Sequence, residues 1–249
     1  MQKSSLSHEV IAIVPAAGSG TRYGPGTHKP FLSLNGKPLI IWALKTLASV
    51  PNIVHIIPVL RKSDIGKGNE TFQQYEISKI LRIVEGGKER QDSVLNALAG
   101  IKKNFSTVLI HDGARPLLTQ DMIERAIKEL DGFDGVVVGM PPKDTIKETD
   151  HGLVHKTLKR DTLWAIQTPQ VFPVQVIAEA YERAYRERYY STDDAALVER
   201  YGGRVKVIKG SYSNIKITTP EDLAFAELIL SQKLMQEGKE PRKTTKSVI

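Results

Sequence analysis

Residues able to hold a polyphosphate gather in one stretch near the start of the chain. Pro15, Ala16 and Ala17 lead into Gly18 and Gly20, and two cations, Arg22 and Lys29, stand seven residues apart among further glycines. Backbone N–H groups flanked by small residues can turn toward an anion because no Cβ blocks the approach. Arg22 and Lys29 add full positive charge. The chemistry suited to such a loop is transfer at phosphorus, in which charge grows on phosphate oxygens and must be neutralised. A Walker loop is excluded, because no Gly-Lys-Ser/Thr closes the stretch. A dinucleotide fingerprint lacks its third glycine, where Tyr23 stands. The bland alternative is a glycine-rich surface turn with two solvated cations. The apolar, β-branched run at residues 10–14 reads as a buried strand feeding the loop and favours a nucleotide triphosphate site.

The elements that must carry this loop follow from the rest of the chain. Its 249 residues, 41% hydrophobic, suffice for one large α/β domain with a sizeable core. With no cysteine there is no disulfide, thiol nucleophile or thiolate metal site, and the histidines have no metal-ligand spacing. The apolar run near the start is too short for a signal segment or a membrane span, so a cytoplasmic enzyme with no membrane partner is expected. Of the net charge of +7, a net +3 lies in residues 231–249, where Lys233, Lys239, Arg242, Lys243 and Lys246 face Glu237 and Glu240. That tail reads as a frayed, solvated and partly disordered end. No basic patch with interleaved aromatics points to nucleic acid; the charge on the body suits small anionic substrates.

Strand-like runs at 10–14, 53–60, 82–84, 107–111, 135–140 and 205–208 alternate with helix-like segments at 38–49, 72–81, 89–103, 120–130, 173–188, 193–201 and 220–233. The alternation predicts a Rossmann-like α/β fold, a mostly parallel sheet with helices on both faces. Thr219 before Pro220, Glu221 and Asp222 supplies a hydroxyl cap, a proline at the first helical position and acids in the first turn. Residues 143–168 break the rhythm. Asp150-His151-Gly152 separates two β-like runs, so a hairpin arm is expected to stand off the sheet. Such a hairpin has too little core of its own and should lie on a partner subunit. The domain is accordingly drawn over residues 1–230, arm included.

In open α/β sheets ligands bind beyond the carboxyl ends of the strands. The residues at those ends are the glycine loop, then Gly87-Lys-Glu-Arg-Gln-Asp-Ser93, His111-Asp-Gly-Ala-Arg-Pro116, Asp144-Thr145 and Ser213-Asn-Ile-Lys216. The first loop resembles that of sugar-nucleotide pyrophosphorylases and cytidylyltransferases. Together with Arg160, Gln167-Thr-Pro-Gln170, Ser191-Thr-Asp193 and Asn214-Ile-Lys-x-Thr-x-Pro-Glu-Asp-Leu223, the blocks resemble the 2-C-methyl-D-erythritol 4-phosphate cytidylyltransferase family over nearly the whole chain to about residue 230. The chain departs from the family's usual pattern at His28 and Pro30, which flank Lys29, and at Gly113.

The resemblance implies a nucleotide-diphospho-sugar transferase type of fold and a reaction. The phosphate of methylerythritol phosphate would attack the α-phosphorus of CTP and release pyrophosphate, in isoprenoid precursor synthesis by the non-mevalonate route. Because the nucleophile is already an anion, no strong base is required, only alignment and charge neutralisation. The catalytic residues so implied are Arg22, Lys29, Arg160 and Lys216, with Mg²⁺ bound mainly through the CTP phosphates. Pro15, Ala16, Ala17, Gly18, Gly20, Gly87, Lys88, Arg90, Ser93, Asp112 and Gly113 would meet the nucleotide. Asp112 would lie near the ribose or, indirectly, the metal; the alternative for it is a turn-forming acid before Gly113. Thr145, Arg160, Thr168, Thr192, Asp193 and Lys216 would meet the acceptor, Arg160 and Thr145 reaching in from the arm of a homodimer. Without the resemblance, Arg160 and Lys216 read as solvated cations, Asp193 as a helix-start acid and His111 as a core residue. Three rivals stand beside this reading: a ribitol 5-phosphate cytidylyltransferase, a dinucleotide-dependent oxidoreductase, and a nucleotide-binding module without catalysis.

Overall fold

The first strand, β1 (Val10–Pro15), is buried on both faces, which is why its apolar residues run on without alternation. A computed structural model of the chain describes residues 9–18, 28–101, 105–236 and 238; Gly20 and Arg22 lie outside them. After β1 come the short strands β2 (Ser33–Leu34) and β3 (Lys37–Pro38), then α1 (Leu39–Ser49), β4 (Ile53–Leu60), α2 (Ile65–Gln74), β5 (Val84–Glu85), α3 (Arg90–Leu98), β6 (Thr107–Ile110), α4 (Gln120–Lys128) and β7 (Gly135–Met140). The arm follows as β8 (Lys147–Asp150) and β9 (Leu153–Thr157), then β10 (Ala165–Pro173), α5 (Val174–Arg186), α6 (Ala195–Arg200), β11 (Val205–Lys209) and α7 (Pro220–Gln236).

Seven strands form one sheet in the order β11-β7-β10-β6-β1-β4-β5. Every pairing is parallel except those of β10, which runs antiparallel between β6 and β7. From β1 the chain builds outward through β4 to β5, then returns to β6 on the other side. That reversal opens a crevice at the carboxyl ends of β1 and β6. Val10, Ala12 and Val14 point into a core shared with α1 and α4, while Ile11 and Ile13 point into a second core with α3, α5 and α6. A third cluster joins Leu34 and Leu39 to Leu117, Ile217, Ala226 and Leu230, so α7 packs against the segment that follows Lys29. Thr219 caps α7 as expected, with Asp222 Oδ2 accepting from the Thr218 and Thr219 amides at 2.7 and 2.8 Å. No helix among the described residues is long and apolar enough to cross a membrane.

The structure corrects the sequence reading in three places. The helix expected at 72–81 is α2, seven residues earlier. Its start was hidden by Gly66 and Gly68, poor helix formers. Gly68 is there for packing: a Cβ on it would stand 2.5 Å from Leu60 Cδ1. The helix stops because Glu76 takes a positive φ of 51°, after which Ile80 bridges to Ile56 at the sheet. The strand expected at 82–84 is β5, at Val84–Glu85. The third correction is β10, a nine-residue central strand that the sequence did not declare because Pro169 argues against one. The register between β10 and β7 slips between Ile166 and Gln170, and Pro169 sits in that irregularity, where no ladder hydrogen bond is required of it. Residues 165–168, counted in the arm from the sequence, therefore belong to the sheet. The rest of the arm is a hairpin turning at His151-Gly152, both at positive φ, with Leu153 and Val154 exposed.

Candidate functional site

A cleft of about 250 Å³ lies beyond the carboxyl ends of β1 and β6. Pro15, Ala16, Ala17 and Gly18 form one wall; Gly87, Lys88, Glu89, Arg90 and Ser93 a second; Asp112, Gly113 and Ala114 the floor; Lys29 and Lys216 stand over it. Segments far apart in sequence meet here because parallel strands bring their carboxyl ends to one edge. Four cations and two carboxylates line the cleft, which suits an anionic ligand.

Asp112 organises the floor. Its Oδ1 accepts from Arg90 Nε at 3.0 Å, its Oδ2 meets Lys216 Nζ at 2.7 Å, and Arg115 Nε stands at 3.9 Å. Burial alone would raise this carboxyl, but Arg90, Lys216 and Arg115 outweigh burial and hold it far below the usual carboxylate range. Asp112 is therefore an anchor for cations and not a proton acceptor. Arg90 is fixed from behind: Asp194, fully buried, takes its Nη1 and Nη2 at 2.8 and 2.7 Å and also accepts from the Tyr181 hydroxyl. Burial opposes the Arg90 charge, and Asp194 and Asp112 more than restore it, raising the guanidinium well above its ordinary value.

The backbone of Asp112 is held as firmly. Its N–H donates to Thr168 Oγ1 at 3.0 Å, and Thr168 lies 3.0 Å from His111 Nδ1. His111 Nε2 meets the Arg115 carbonyl at 3.0 Å, so the Nε2–H tautomer satisfies both contacts. Burial pushes the His111 imidazole down to about 4. Asn214, also fully buried, donates to the Thr168 carbonyl at 2.8 Å, and Ile217 N reaches the Ala114 carbonyl at 2.8 Å. Those two bonds set the segment that carries Lys216.

Of the residues singled out from sequence, Pro15, Ala16, Ala17, Gly18, Lys29, Gly87, Lys88, Arg90, Ser93, Asp112, Gly113 and Lys216 share this one cleft. Within it Ser93 has a supporting place: its hydroxyl accepts from Gly87 N and donates to the Glu89 carbonyl, shaping the turn before α3. Gly113 packs on the first wall, where a Cβ would come within 3.0 Å of Ala16 Cβ. Pro30, buried, fits the short helical turn Lys29–Phe31.

The remaining predicted residues lie elsewhere. Thr168 is buried beneath Asp112 and does not line the cleft. Asp193 accepts from Ala196 N and Gln170 Nε2, so its carboxylate is engaged at the start of α6. Thr192, Thr145 and Arg160 are exposed, and Arg160 Nη1 donates to the Lys143 carbonyl at 3.0 Å. Among the described residues that line the cleft, none comes from the arm of the same chain. Asp194 and Tyr181 were missed in the sequence, and Arg115 stood there only within the block 111–116, without a role; the charge pair of Arg90 with Asp194 spans 104 positions, and no local pattern announces it.

The donor set also bears on a metal. Among the described residues no group of three or more His, Asp or Glu could hold a cation, and both Asp112 oxygens are taken by Arg90 and Lys216. A divalent ion coordinated directly by Asp112 would have to displace Lys216. Among the described residues no carboxylate cage for a divalent ion is present, and Mg²⁺ carried on a triphosphate would not need one.

Comparison with known proteins shows the family. The family model described as 2-C-methyl-D-erythritol 4-phosphate cytidylyltransferase matches residues 10–232. A protein of that name from Geobacter metallireducens is 42% identical over 229 residues, covering 90% of this chain and 99% of its own. One from Clostridioides difficile is 43% identical over 225 residues, covering 90% and 95%. Among solved structures, 4-diphosphocytidyl-2C-methyl-D-erythritol synthase from Anaerococcus prevotii superposes with a TM-score of 0.80 at 33% identity, covering 90% of this chain and 99% of that one.

Proposed function

The chain belongs to the 2-C-methyl-D-erythritol 4-phosphate cytidylyltransferase family, and from that premise we propose how its cleft performs the transfer. The enzyme is a nucleotidyltransferase that moves the cytidylyl group of CTP to 2-C-methyl-D-erythritol 4-phosphate in isoprenoid precursor synthesis. The family does not favour the ribitol phosphate, oxidoreductase and non-catalytic readings. A phosphate oxygen of the acceptor bonds to the α-phosphorus of CTP, the bond from that phosphorus to the bridging oxygen of the β-phosphate breaks, and pyrophosphate leaves.

The single observation that supports these roles is that Lys29 and Lys216, from opposite ends of the chain, line one cleft with the glycine turn. Gly18 and its neighbours receive the triphosphate, and Lys29, with Arg22, neutralises charge on the α-phosphate and the departing pyrophosphate. Lys216, tethered to Asp112, takes the acceptor phosphate and holds it in line. Asp112 keeps Lys216 and Arg90 at fixed points and exchanges no proton. Mg²⁺ carried on the CTP phosphates would supply further neutralisation of the leaving group. Arg160 and Thr145 belong to the acceptor site of a second subunit, reached by the exposed arm in a homodimer. Exposed Leu153, Val154 and Ile146 on an otherwise polar hairpin support that arrangement. Pyrophosphate release from each of the four nucleoside triphosphates, with methylerythritol phosphate and ribitol 5-phosphate as competing acceptors, tests the reading. A larger specificity constant for another nucleotide or for ribitol 5-phosphate would overturn it.

A further inference from the structure

The described residues that border the glycine loop on both sides are tied to one four-residue turn that the reaction scheme has not used. At the carboxyl end of β4, Arg61 donates to the carbonyls of Ala17 and Gly18, from Nε at 3.3 Å and from Nη2 at 2.5 Å. Three residues on, Asp64 Oδ1 meets His28 Nδ1 at 2.5 Å. Ala17 and Gly18 begin the loop, and His28 is the residue before Lys29.

The chemistry of the two contacts is specific. A carbonyl turned toward a triphosphate would repel it, and the carbonyls of Ala17 and Gly18 are turned instead to Arg61. Asp64 is 1% exposed, and its Oδ2 has no hydrogen-bond partner among the described residues. A buried carboxylate is unfavourable without a hydrogen-bond donor. His28, half-exposed, faces it through Nδ1. The backbone of His28 runs directly into the turn Lys29–Phe31, with the Phe31 amide returning to the His28 carbonyl at 2.9 Å, so fixing the imidazole fixes the start of the Lys29 turn.

We propose that Arg61 and Asp64 are positioning residues for cytidylyl transfer, Arg61 setting the wall at Ala17 and Gly18, and Asp64, through His28, setting Lys29. The proposal rests on the reading of Lys29 as a phosphate-neutralising group. Misplacement of a reacting group by about 1 Å costs up to roughly 100-fold. Asp64→Asn and His28→Ala are therefore expected to lower kcat/KM for CTP by roughly 10- to 100-fold, the loss falling on kcat. The decisive measurement is a double-mutant cycle with Lys29→Ala. If Asp64 acts through Lys29, Asp64→Asn costs no more than about threefold in the Lys29→Ala background. Equal losses in both backgrounds would overturn the Asp64 role, because a general structural defect is indifferent to Lys29. His28→Ala keeps the cycle informative if Asp64→Asn lowers the melting temperature, since His28 is half-exposed. Arg61→Met is expected to raise KM for CTP, and Arg61→Lys, which keeps a donor, to recover most of it; an Arg61→Met enzyme equal to wild type would overturn the Arg61 role. Lys29→Ala with near-normal turnover would instead sink the premise, and the single variant alone reveals that case.

Discussion

Asp112 and His111 are neighbours in sequence and opposites in electrostatics, and pH separates them. His111 is fully buried and neutral, its imidazole lowered by burial from its ordinary value to about 4. In the unfolded chain it titrates near 6.5, so folding is favoured in full above that pH, and the contribution is lost as pH falls from about 6.5 to about 4. The size is roughly 3 kcal/mol. Asp112 acts lower down, its carboxyl held far below its ordinary value, so its contribution begins to fade only as pH drops through the ordinary aspartate range. Urea unfolding between pH 4 and 7 should show a stability slope that His111→Gln removes; an unchanged slope would mean that another group titrates there. Lys29 tests function at the same scale. Lys29→Ala should reduce turnover with CTP by roughly 100-fold or more, the scale of one lost contact to developing charge, with the melting temperature little changed. Turnover within a few-fold of wild type would remove it from the mechanism. The residues legible from sequence were those at strand ends: Lys216, Asp112 and Arg90 each follow an apolar run that declares a strand, and the fold brings such ends together. Arg61 also ends an apolar run, but its acceptors, like the partners of Asp194 and Asp64, lie across a long separation with no spacing rule to name them.

At the scale of elements, the sheet was readable wherever a strand was a continuous apolar run, as in β1, β4 and β7. It was unreadable at β10, where Pro169 imitates a loop, and at the start of α2, where Gly66 and Gly68 imitate a turn while Gly68 in fact lets the helix sit on Leu60. The glycine that precedes the second wall makes a sharper point. A Cβ on Gly86 would stand 2.2 Å from Ala17 Cβ, so the turn before α3 touches the glycine loop directly. Gly86→Ala should push the two walls apart and destabilise the fold by about 1–3 kcal/mol, with KM for CTP raised more than kcat is lowered. Steady-state kinetics beside a thermal melt check both halves of that expectation; unchanged KM would show that the walls yield independently. The arm is the element whose purpose its own chain does not explain. Mixing inactive Arg160→Ala and Lys29→Ala subunits should restore part of the activity, because one of the two mixed sites regains both cations. No recovery between subunits shown by sedimentation to exchange would place Arg160 outside the shared site.

Across the whole molecule, the cleft draws on nearly every part of the chain, and its last contribution comes late. Lys216 neutralises Asp112 from the far side of a sheet begun at Val10, and the segment bearing it is held down by Asn214 and by α7 packed on Leu34 and Leu39. Until that segment is in place, Asp112 faces the cleft short of one cation and the floor repels a triphosphate. Protein synthesis runs in the opposite order from this requirement: the glycine turn leaves the ribosome well before Lys216. A nascent or truncated chain that ends before Lys216 should therefore retain CTP poorly, so the nucleotide is not committed by an enzyme that cannot yet seat its acceptor.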